Sequence, residues 1–213
     1  MERRAFLLGV SGLGLGIGAA AALPERAEAA SHTRCAVDKK RKLKLCTAAP
    51  PRRIKLVTVR RGAPPRAAWV ACLSMVFEYH GHPCSPLRIS RDLYGGKVPD
   101  APWKDLTRLA REFTDDKGKP FAIAVEALPV SAADAAEVLA ADEPLIIGLF
   151  GHPVLLTSLS YTGDRLGGMK IDSAVVRDPL PGSHHDPRPV TSPDWVDVRY
   201  MARVTARKPK SGR

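Results

Sequence analysis

The chain has 213 residues, with 33 Lys and Arg against 22 Asp and Glu, a formal charge of +11. Its 45% apolar share is that of an ordinary globular protein, which excludes wholesale disorder, a collagen-like repeat and a coiled coil. It contains no Asn and no Gln, so no side-chain amide can cap a helix, accept a glycan or donate to an oxyanion.

The charge is not evenly spread. Residues 31–66 hold twelve bases (Arg34, Lys39, Lys40, Arg41, Lys42, Lys44, Arg52, Arg53, Lys55, Arg60, Arg61, Arg66) and one acid, Asp38. Residues 67–202 hold thirteen bases against eighteen acids, and residues 203–213 hold five bases and no acid. A nucleic-acid-binding domain spreads its basic residues over a folded face. An acidic body with a basic arm and tail therefore gives no reason to expect a specific nucleic-acid partner.

In chain order, Arg3-Arg4-Ala5-Phe6-Leu7-Leu8 opens an uncharged run to Leu23, and Ala27-Glu28-Ala29 follows. A basic start, an apolar middle and a small-x-small exit describe an export signal over 1–29, and the paired arginines resemble the twin-arginine class. The alternative is a retained anchor, although five glycines in its centre make a poor spanning helix. Export implies a mature chain from about Ala30 in a secreted or periplasmic, oxidising setting. There Cys35, Cys46, Cys72 and Cys84 suit two bridges in any of three pairings. The local pairs Cys35–Cys46 and Cys72–Cys84 close the shortest loops.

Residues 30–66 read as a basic arm, with strand-like alternation at 42–45 and 54–59 around Pro50-Pro51. Lys39-Lys40-Arg41-Lys42, between two cysteines, suits either a solvated loop or a contact with a polyanionic envelope component. From Trp69 to His80 the apolar spacing turns helical and Gly81 stops it. Further helices are expected over 86–93, closed by Gly95-Gly96, and over 102–113. Strands are expected at 121–125, 145–150, 154–161, 170–177 and 195–205, and Ser131 caps a helix reaching Ala140. Helices first and strands second is an α+β order, placing one domain over 67–206 and a basic tail over 207–213. His80-x-His82-x-Cys84 and His184-His185-Asp186 lack the spacing of a four-ligand metal site, so no metal and no cofactor are expected.

Three motifs stand in a chemically meaningful order: Ala67-Ala68-Trp69-Val70-Ala71-Cys72 at a helix start, Gly151-His152-Pro153-Val154 at a strand start and Arg177-Asp178-Pro179 at a strand end. On these the chain resembles the papain-like cysteine peptidases, in particular the bacterial group akin to bacteriocin-processing (double-glycine leader) peptidases, over about 54–206. The resemblance implies a papain-like fold with helices on an antiparallel sheet, a thiol activated at a helix N-terminus, His152 as its partner and Asp178 orienting that histidine. Two positions depart from the pattern. Ala68 stands where the nucleophilic Cys is expected, and no Gln precedes it to hold an oxyanion. The expectation is thus a monomeric pseudoenzyme binding a peptide or protein in the old cleft. The alternatives are an active hydrolase using Cys72, one helical turn further along, and a polyanion binder working through the arm.

Overall fold

The computed structural model describes residues 32–38, 43–163, 169–180 and 186–209. The segment 1–29 expected to be an export signal, the basic run Lys39–Lys42, His184, His185 and the last four residues of the tail lie outside them. Among the described residues the architecture is α+β, four α-helices and nine strands in one antiparallel sheet.

A hairpin of β1 (Thr33–Asp38) and β2 (Leu43–Ala48) precedes helix α1 (Pro65–Tyr79) and helix α2 (Pro86–Tyr94). Two short 3₁₀ turns, Pro102–Lys104 and Leu106–Leu109, lead to β3 (Glu112–Thr114) and β4 (Pro120–Leu128). Helix α3 (Ala132–Ala140), β5 (Leu145–Leu149), β6 (His152–Gly163) and β7 (Met169–Arg177) follow. The chain ends in β8 (Arg188–Thr191), the one-turn helix α4 (Ser192–Trp195) and β9 (Met201–Arg207). The path across the sheet is β1-β2-β6-β5-β9-β4-β3, with β7 and β8 branching from the other edge of β6.

Helices cover both faces of the sheet centre, which explains why all five residues of β5 are buried. Ile146 points to the α1 side, among Trp69, Leu73, Phe77, Phe121 and Leu155. Leu145 and Ile147 point to the α3 side, among Leu139, Val154, Leu156 and Met201. A strand buried on both faces reads as a continuous apolar run rather than an alternating one. Local signals set several element ends. Ser131 accepts from the Ala133 and Asp134 amides at the start of α3. Gly95, left-handed at φ 62°, ends α2.

Four expectations are corrected. The helix expected over 102–113 breaks at Asp105 (φ −133°), and Phe113 instead joins a strand opposite Phe121. Packing accompanies the change: Phe113 and Phe121 meet edge-on at 5.7 Å beside Phe77. The stretch 54–59 joins no ladder; Ile54 packs into the core and the Val59 amide donates to the Pro179 carbonyl at 2.9 Å. The strand expected over 195–205 starts late: Trp195 ends the one-turn helix α4, which begins under a Thr191–Asp194 capping box, and strand pairing starts only at Met201. Cys35 and Cys46, directly opposed in the hairpin, are bridged, whereas Cys72 and Cys84 are both free and buried. The helix dictates the last result. Ser74 meets the Cys84 carbonyl at 2.6 Å, and Cys72, two residues earlier, points about 200° away around α1.

The arm hairpin is continuous with the body. β2 pairs with β6 from Lys44 opposite Gly163 to Ala48 opposite Leu159, and Cys46 and Ala48 are buried. No described helix is long and apolar enough to cross a membrane.

Candidate functional site

The site is organised by a tight turn. β5 and β6 are joined through Phe150 (φ 55°) and Gly151 (φ 77°), both left-handed, the geometry that fits a two-residue hairpin to the twist of its strands. Gly151 accepts this conformation freely, whereas Phe150 holds it against its Cβ. The Phe150 carbonyl then lies 3.0 Å from His152 Nδ1.

Across the sheet, Asp178 follows the last residue of β7. Its Oδ1 lies 2.8 Å from His152 Nε2 and accepts the Leu180 amide at 3.0 Å, closing a turn over Pro179. Its Oδ2 accepts from Arg188 of β8 at 3.0 Å. The Arg188 guanidinium also lies 3.4 Å from the Phe150 ring centroid, so a cation–π contact ties the turn to the carboxylate. Burial alone would raise the Asp178 carboxyl. The His152 ring, the Leu180 amide and Arg188 outweigh it and hold the group below the ordinary carboxylate range.

His152 therefore faces an acceptor at each ring nitrogen. A carbonyl and a carboxylate both only accept, so each ring nitrogen is already engaged by the surrounding structure. A general base must turn one nitrogen toward the proton it takes, and here both nitrogens face other partners. It offers a fixed hydrogen-bonded pair, 9% and 3% exposed at His152 and Asp178.

Ala68 and Cys72 share one face of α1, which packs on β6 and β9, and both are fully buried. Asp178 acts electrostatically on Cys72, so the dyad sits within charge range of this helix face. A methyl group at 68 supplies no nucleophile. Burial first, and then the Asp178 charge, pushes the Cys72 thiol well above its ordinary value, the reverse of what an attacking thiolate requires. Tyr200 lies within charge range of Cys72, and burial raises its phenol too. The Tyr200 ring stacks on Trp103 at 4.5 Å and occupies the space a side chain at 148 would need, 2.1 Å from where a Gly148 Cβ would sit.

The other sequence candidates separate. His82 Nδ1 lies 3.3 Å from Asp115 and its ring stacks on Phe121 at 4.4 Å. Cys84 is pushed up to about 12 by burial and by Asp116. His80 is lowered, chiefly by burial. Among the described residues no three His, Cys, Asp or Glu side chains gather as metal ligands. Sequence reasoning missed Arg188 and Phe150. Arg188 joins the site only through the β7–β8 pairing of Val176 with Arg188, and no spacing along the chain announces that. For Phe150 the one sequence signal was Gly151, a turn former between two strand-like runs. No protein-family model and no curated protein matches the chain.

Proposed function

We propose that the protein is an exported papain-like pseudo-peptidase that binds a peptide or protein beside α1 without cleaving it. The supporting observation is the engaged dyad: the two ring nitrogens of His152 lie 3.0 Å from the Phe150 carbonyl and 2.8 Å from Asp178, while Ala68 stands in the nucleophile position. The motif order at Ala68-Trp69, Gly151-His152 and Asp178-Pro179 supports the papain-like assignment, as does the placement of the dyad within charge range of the Cys72 face of α1. Catalysis through Cys72 is the weaker reading, because that thiol is buried and its ionisation is opposed on two counts. Polyanion binding through the arm draws on the run at 39–42 and is tested by salt dependence.

The deciding experiment restores a thiol. In Ala68→Cys, His152 as the thiol's papain-like partner should promote thiolate formation. Iodoacetamide should then label Cys at 68 about tenfold faster at neutral pH than in Ala68→Cys/His152→Ala. The native chain gives the background from Cys72 and Cys84, and Ala68→Ser controls for the added volume. Equal rates in two folded variants would sink the papain-like assignment.

A further inference from the structure

A groove of about 630 Å³ opens beside the N-terminal end of α1. One wall is the segment 58–60, fastened to the dyad loop by the Val59 amide on the Pro179 carbonyl, one residue past Asp178. The opposite wall is α2 with the residues that follow its glycine cap. Val70 and Val98 contribute an apolar lining, and Leu87, 80% exposed, stands at the edge.

The charge in this groove has one sign. Arg60, Arg66 and Lys97 line it, and no Asp or Glu does, although the surrounding body is acidic overall. Arg66 is engaged by exposed Asp100. Arg60 on one wall and Lys97 on the other make no ion pair among the described residues. No aromatic side chain lines the groove, so it lacks the stacking platform on which single-stranded nucleic acid binds. Cations on both walls over an apolar floor complement an extended chain whose acidic side chains alternate with apolar ones.

We infer that the groove binds an extended peptide segment in which acidic residues alternate with aliphatic ones, Arg60 and Lys97 taking the carboxylates while the aliphatic side chains cover Val70, Val98 and Leu87. This deepens the peptide-binding reading above and rests on it for the class of ligand. Binding at this place, unlike that reading's papain-like assignment, does not require the dyad to descend from a peptidase.

The probe is a fluorescein-labelled peptide alternating Leu and Glu, titrated against the full chain by anisotropy beside its Leu–Gln counterpart. The acidic peptide should bind about tenfold more tightly than the Gln peptide, and the gap should narrow at high salt. Arg60→Glu/Lys97→Glu should abolish the preference with an unchanged circular dichroism spectrum, since both side chains are exposed. Leu87→Asp should weaken binding, and Lys170→Glu, exposed on β7 away from the groove, should leave it alone. Equal affinity for the two peptides overturns the proposal. Acidic binding that survives Arg60→Glu/Lys97→Glu also overturns it, placing the ligand elsewhere, as would self-association of the native chain that Leu87→Asp removes. Failure of the Ala68→Cys labelling with these results intact would remove the papain-like assignment and leave the groove standing. Success of the labelling with no acidic preference would do the opposite.

Discussion

Two buried histidine–aspartate pairs lie on different elements of this molecule, and only one of them carries a functional reading. His82 and Asp115 are 6% and 1% exposed; His152 and Asp178 are 9% and 3%. Both aspartates resist the upward push of burial and are held below the ordinary carboxylate range, Asp115 by the Lys119 and Lys117 amides and His82, Asp178 by His152, Leu180 and Arg188. Asp115 spends one oxygen on its own turn, at 2.9 and 2.8 Å, and its histidine is pinned face-on to Phe121. That pair fastens the end of α1 to the β3–β4 turn. Asp178 adds a cation from the neighbouring strand β8, and its charge acts on Cys72 of α1. A histidine beside an aspartate is thus first a way to bury a turn. What separates a candidate site from a fastening is which third group the pair faces.

Three substitutions sharpen the contrast. The largest effect is expected for Asp115→Ala, which strands two turn amides and His82 in the interior and should cost about 3 kcal/mol by urea unfolding. If Asp178→Ala proves more damaging, the division into fastening and site is wrong. Asp178→Asn should cost about 1–2 kcal/mol at neutral pH, because the Leu180 contact survives. Its pH dependence has a definite sign. A carboxyl depressed in the folded state stabilises fully above its unfolded value of about 4 and loses that contribution as pH falls through the lower folded value. The gap between native and Asp178→Asn stability should therefore close in acid; a gap that widens there contradicts the geometry. Arg188→Ala should have the smallest effect, about 1 kcal/mol, since the side chain is partly exposed. In the Ala68→Cys background it should slow alkylation by loosening the Phe150 turn. An unchanged rate would detach Arg188 from the site.

The His152–Asp178 pairing shows how far a linear reading reaches. Its two motifs, 26 residues apart, were visible because each sits at a strand end beside a turn former, Gly151 and Pro179. The saturation of His152 was not visible. It depends on the carbonyl of Phe150 turning inward, which a left-handed backbone decides. Arg188 arrives from a strand that Pro189 hides from pattern recognition, since Pro is uncommon within strands.

Where local chemistry suffices, the sequence was decisive. Ser131, Gly95 and the apolar run from Leu145 marked α3, the end of α2 and strand β5, because caps and period are short-range. The location of the basic charge and the absence of Asn and Gln were likewise settled by the chain alone. Tertiary packing decided the rest. It made a strand of Phe113 by offering it Phe77 and Phe121, and it turned Cys72 away from Cys84 by the pitch of α1. It also built a groove with cations on both walls inside an otherwise acidic body. Each of these outcomes depends on which distant residues arrive together, and no local pattern encodes that arrival.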